Sequence, residues 1–94
     1  MSELLTAATF EPYIGQDFAV ENVGVEYAIA LESIGTFAVS AREGGGFALN
    51  FRGPSDPMLN QATYSLRSGD SRWDIFLVPI GVDSGGARYE AVFN

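Results

Sequence analysis

The 94 residues contain no cysteine and no histidine, and all five basic residues are arginine, so lysine is absent too. Without cysteine there are neither disulfides nor thiolate metal ligands, and packing alone must supply the stability. Without histidine or cysteine there is no Ser–His–Asp or Cys–His arrangement and no ordinary zinc or copper site. The hydroxyls of Ser2, Ser33, Ser40, Ser55, Ser65, Ser68, Ser71 and Ser84 therefore lack both a base and a lysine partner. Long apolar runs are missing as well. The longest, IFLVPI at 75–80, has six residues, where a membrane helix needs roughly 20. The opening MSELLTAATFEP carries no basic stretch followed by an apolar one, from which we expect no signal peptide and a cytoplasmic or assembly-bound protein.

Positive charge is scarce. Twelve acids face the five arginines for a net charge of −7, which repels nucleic acid and anionic lipid, because affinity for polyanions comes from basic residues displacing counterions. Neither nucleic acid nor a membrane is thus an expected partner. Glu21, Glu26, Glu32, Glu43, Asp56, Asp70, Asp74 and Asp83 are scattered singly and read as a solvated outer face. Glycoside hydrolysis needs only a placed pair of acids. These acids fall on outward strand positions or in turns, so a carboxylate-only hydrolase is the remote alternative and the chain reads as a non-enzyme. No cofactor is expected. REGGGF at 42–47 lacks the lysine and following hydroxyl of a phosphate-binding loop, and Asp70, Asp74 and Asp83 lack calcium-loop spacing.

What the chain does have is turn chemistry at short intervals, at positions 15, 22–24, 35, 44–46, 53–57, 68–71 and 81–86. Between these lie segments rich in valine, isoleucine, phenylalanine and tyrosine. That pattern predicts one all-β domain over 1–94, a small antiparallel barrel or sandwich of six to seven strands. In LTAATFEPYIG the spacing of Phe10, Tyr13 and Ile14 predicts a short helix over about 6–14, starting at Thr9 so that Pro12 forfeits no bond. VEYAIALESI at 25–34 alternates Val25, Tyr27, Ile29 and Leu31 against Glu26, Ala28, Ala30 and Glu32, and NVG before it predicts a tight hairpin with 17–22. TFAVSAR at 36–42, FALNFR at 47–52 and NQATYSLR at 60–67 follow as strands. RWDIFLVPI at 72–80 becomes apolar on both faces, which predicts cover on both, with Pro79 marking a bulge, an end or an edge. ARYEAVFN ends the chain as a strand, which either closes a barrel or pairs with another chain.

Seven phenylalanines, four tyrosines and Trp73 fall mostly on apolar faces and read as core. Trp73 is less settled. Flanked by Arg72 and set near Arg88 and Tyr89 across an expected hairpin, it could join an exposed aromatic–arginine patch of the kind enriched in interfaces. With Phe93 on the terminal strand, these are the interface candidates. Alternatively Tyr27, Tyr64, Tyr89 and Trp73 line an interior cavity of a ligand-binding barrel.

LTAATFEPYIGQDF, FALNFRGP, LNQATYSL and FLVPIG followed by RYEAVFN resemble a family of short bacterial all-β proteins of unknown function; 22–46 matches it poorly. The family assigns no catalytic residue. The resemblance implies an accessory place beside phage tail-collar or tail-fibre-like proteins. The function expected is therefore a structural or interaction module that self-associates as a homo-oligomer or docks on a fibre-like protein, in the cytoplasm or on a phage-like particle. A small-molecule-binding barrel is the alternative.

Overall fold

The computed structural model describes residues 5–21, 24, 26–36, 46–56 and 58–93. A helix α1 (Ala7–Phe10) runs directly into a 3-10 turn (Glu11–Tyr13). Thr6 and Thr9 start it: the Thr6 N–H donates to Thr9 Oγ1 at 3.1 Å, and the Thr9 N–H donates to the Thr6 carbonyl at 3.0 Å. The helix thus begins before Thr9. Pro12 is accommodated because the chain has tightened to 3-10 geometry there, where its missing N–H is not called on.

Six strands follow: β1 (Asp17–Val20), β2 (Ala28–Thr36), β3 (Phe47–Gly53), β4 (Ala62–Ser68), β5 (Ser71–Asp83) and β6 (Gly86–Phe93). All neighbours are antiparallel, and the order β1-β2-β3-β6-β5-β4 closes into a barrel through β1–β4 pairing. Barrel closure, the first of the two fates expected for the terminal strand, is what the chain adopts: β6 pairs with β3 on one side and β5 on the other. The expected hairpin turn at 22–24 and strand at 36–42 lie largely outside the described residues.

Period-two alternation fills the interior. Phe18, Ile29, Leu31, Phe47, Leu49, Phe51, Leu66, Ile75, Leu77 and Tyr89 are buried, and no charged side chain is buried among the described residues. Two bulges keep this phase over long strands. In β2, Leu31 opposes Phe51 and Ser33 opposes Asn50, so Glu32 is the extra residue and Ile34 returns to the inner face. In β5, Pro79 opposes Tyr89 and Gly81 opposes Arg88, leaving Ile80 extra. A proline with no N–H to give the ladder marks this bulge, as its sequence position suggested.

One expectation fails. The apolar run of β5 is not covered on both faces: Phe76 is 50% exposed and Ile80 55%. A closed barrel has a single interior, and no described element packs over the outside of β5. The barrel's two ends differ. At the end where β3 and β5 begin, Phe10 of α1 is fully buried against Phe47, Trp73 and Phe93. At the other, the β3–β4 connection folds over the barrel mouth.

Candidate functional site

Trp73 opens the inner row of β5, and its indole is gripped by other rings. Phe10 lies 5.3 Å away, Phe18 5.7 Å, and Tyr13 meets it edge-on at 5.2 Å and 80°. The next ring pair out, Phe47 and Phe93, stacks at 4.6 Å. Because α1 and its 3-10 turn only partly cover this end, a pocket of about 320 Å³ remains beside Trp73, lined by Thr9, Tyr13, Ser71, Arg72 and Trp73. That size is at the lower limit for small-ligand sites.

Arg72, one residue before Trp73, faces outward by alternation. Its Nε donates to Glu21 Oε1, while Arg67 Nε donates to Glu21 Oε2 at 3.1 Å. The Arg72 hydrogen bond, helped by that of Arg67, holds the Glu21 carboxyl below the usual carboxylate range and raises Arg72 in return. A second group spans four adjacent strands. Arg52 and Arg88 stand directly opposite each other in the β3–β6 pairing, a like-charge arrangement that would repel. Glu32 lies between them, 2.8 Å from Arg52 Nε and 3.0 Å from Arg88 Nη1, and Asp83 binds Arg88 Nε. The β2 bulge is what delivers Glu32 here. Bonded chiefly by Arg88, Asp83 also titrates below its ordinary value. Every described arginine is therefore paired with a carboxylate, and the unbalanced surface charge is acidic.

At the opposite mouth three tyrosines hold the β3–β4 connection. Tyr89 Oη accepts the Leu59 N–H at 2.8 Å and meets Tyr27 Oη at 3.2 Å; Tyr27 Oη donates to the Pro54 carbonyl at 3.2 Å, and Tyr64 Oη to the Asn60 carbonyl at 2.6 Å. Burial, then the contact with Tyr89, pushes the Tyr27 hydroxyl up, so it stays protonated. Tyr89→Phe strands the buried Leu59 N–H and one partner of Tyr27. We expect a loss of about 1–3 kcal/mol, the cost of an unsatisfied buried donor, measured by urea titration. An unchanged midpoint would show that the connection does not depend on this hydroxyl.

The outer face of β5 and β6 carries a different surface. Phe76, Ile80 and Val92 are 47–55% exposed, with Val78 half-buried among them. Asp74 and Glu90, on the same outward rows, have no ion-pair partner among the described residues.

The sequence-derived candidates separate. Arg72 and Trp73 meet at the pocket. Arg88 belongs to the Glu32–Asp83 group, and Tyr89, opposite Pro79, lies six positions along β5 from Trp73. The expected patch uniting Arg72, Trp73, Arg88 and Tyr89 does not form. Tyr89 is fully buried and Phe93 half-buried in the aromatic cluster, so neither offers an exposed contact, and a charge at Phe93 would test the core. Trp73, too, points in rather than out. The interior cavity expected for Tyr27, Tyr64, Tyr89 and Trp73 is replaced by packing: the first three tie down one mouth and Trp73 helps plug the other. Phe76, Ile80 and Val92 were missed as surface residues. The one signal pointing to them, unbroken apolarity along β5, has the same form as burial on both faces.

A domain of unknown function (DUF6916) matches the chain over residues 5–93. No curated protein and no solved structure matches it.

Proposed function

The chain belongs to the DUF6916 family, and because that membership supplies no activity we propose one from the surface: a non-catalytic interaction module of a larger assembly. Its contact is the outer face of β5 and β6. The observation that carries this reading is that Phe76, Val78, Ile80 and Val92 gather on one face, whereas the exposed Ile14 and Met58 lie in the connections. Exposed apolar groups gathered on one face mark interaction sites more often than scattered ones do. The carboxylates give the partner its chemistry. Asp74 and Glu90 border the row without an ion pair among the described residues, and each described arginine is paired with Glu21, Glu32 or Asp83. The complementary partner is a protein surface with an apolar centre and a basic rim, and a second copy with net charge −7 is a poor match. A phage tail-fibre-like protein, as the resemblance implies, is one setting for such a partner.

The test places a photo-crosslinking residue at position 76 in the producing cells and identifies the captured protein. Binding of that purified partner is then compared with wild type and with a Phe76→Ser, Ile80→Ser variant. We expect the variant to keep its melting temperature, being altered only at the surface, and to lose at least about tenfold in affinity. Equal binding by both proteins would refute the docking face. A wild-type dimer by light scattering that the variant abolishes would reassign the face to a second copy.

A further inference from the structure

We infer that residues 5–14 form a lid, hinged at Gly15, that swings off the aromatic end of the barrel while the strands stay closed; this is independent of the β5–β6 docking face. The bonding pattern separates the lid from the barrel. Within the lid the Thr9 N–H donates to the Thr6 carbonyl at 3.0 Å, the Ile14 N–H to the Glu11 carbonyl at 3.3 Å, and the Thr6 N–H to Thr9 Oγ1 at 3.1 Å. Among the described residues no hydrogen bond or ion pair joins the lid to a strand. The ladder begins directly after it. The Gly15 N–H donates to the Leu31 carbonyl at 2.7 Å, and the Leu31 N–H to the Gln16 carbonyl at 3.1 Å. Among the described residues a single bond crosses the hinge, from the Gln16 N–H to the Tyr13 carbonyl at 2.9 Å.

Ring packing is what holds the lid down. Phe10, fully buried, lies 5.3 Å from Trp73, 6.1 Å from Phe47 and 6.2 Å from Phe93, and Tyr13 rests on Phe18 and Trp73. Apolar burial is non-directional, so the segment can leave as one piece without breaking a polar tie to the wall. The six strands close through β1–β4 with no part of the lid in the ladder, and opening costs no strand pair. Gly15 supplies the pivot. Its φ of +86° is a conformation glycine enters and leaves freely, and nothing lies within 4 Å of where a Cβ would stand. Once off, the helical stretch from Ala7 to Tyr13 is too short to stay wound, since isolated helices need about 12–15 residues. Opening therefore leaves extended chain on one side and Phe47, Trp73 and Phe93 without their cover on the other, at a free energy below that of global unfolding.

Chymotrypsin cuts extended chain after aromatic residues, and it is applied to the full chain over a series of urea concentrations. Initial rates of cleavage after Tyr13, in the lid, and after Phe51, buried in β3, are read by mass spectrometry. Such rates follow the population of the open form when reclosing outpaces cleavage. We expect the Tyr13 cut to appear without urea and to depend on it with less than about a third of the slope of the Phe51 cut, because little surface is exposed. Gly15→Ala, which strains only the closed backbone and clashes with nothing, should speed the Tyr13 cut about five- to thirtyfold. Phe10→Ala, which removes the anchor, should speed it at least about tenfold. Tyr89→Phe, which loosens the opposite mouth, should leave it within about twofold of wild type. The inference is overturned if the two cuts share one urea slope, if Tyr89→Phe speeds the Tyr13 cut as much as Gly15→Ala does, or if neither Gly15→Ala nor Phe10→Ala changes it.

Discussion

Phe18→Ala should cost about 3–5 kcal/mol, the range for emptying a buried phenylalanine site. Phe18 is fully buried, and its ring touches those of Tyr13, Phe51 and Trp73 at 5.6, 5.6 and 5.7 Å. It therefore joins α1's 3-10 turn, the core of β3 and the start of β5. Few neighbours can collapse into the space, because each is itself held by other rings. A chain of this length is stable by roughly 5–14 kcal/mol in total, so the variant stands near the limit of folding. The melting temperature should fall by at least about 12 °C. Phe76→Ala, the same change on the outer face, should shift stability by less than about 0.5 kcal/mol. Thermal and urea unfolding read by circular dichroism compare the two, and equal losses would contradict the assignment of inner and outer faces.

Gly86→Ala should be nearly as damaging, for a backbone reason. Gly86 opens β6 at φ +120°, which L side chains rarely adopt, and a Cβ there would overlap the Gly53 carbonyl oxygen. Gly53 is itself pressed from inside, since a Cβ on it would lie 2.7 Å from Ile29 Cγ2, so the carbonyl has little room to retreat. Strained φ and forced backbone movement together cost about 2–5 kcal/mol. Gly85→Ala is the informative neighbour. Its Cβ would overlap the guanidinium end of Arg52, which can swing away at the expense of a surface ion pair worth little, and would lie 3.3 Å from Asp83 Oδ1, a side-chain atom that can also shift. Denaturant midpoints that fall together would mean the β5–β6 turn is sensitive to any added carbon, and the conformational argument would fail.

The barrel was largely legible because alternation is a direct consequence of the pleat: Phe18/Val20, Tyr27/Ile29/Leu31 and Tyr64/Leu66 all turned inward as spaced. Pro79 announced its bulge through a missing N–H. The β2 bulge gave no such notice. Glu32 is an ordinary outward residue in a clean pattern, and only the long-range demand of Arg52 and Arg88 explains where it stands. The site was harder to read for a similar reason. Arg72 and Trp73 sit side by side in the chain yet face opposite ways, and the pocket between them needs Thr9 and Tyr13, some sixty residues earlier. Tyr89 looked like half of an aromatic–arginine pair because Arg88 precedes it, whereas alternation alone sends the two to opposite sides of the wall. Exposed apolarity along β5 carries no local mark that separates it from burial, since both are written with the same residue types.

Ring closure decides how any visitor must come. With β1 bonded to β4 and β6 lodged between β3 and β5, every described strand has a neighbour on each side in the strand order, so no described strand stands at the end of the sheet for an incoming peptide to extend. Among the described strands, ring closure therefore disfavours β-augmentation, and with it the sequence-blind affinity that main-chain ladders provide. On the proposed reading, a partner would meet side chains broadside, so selectivity would rest with a few positions that single substitutions can retune while the scaffold stays as it is.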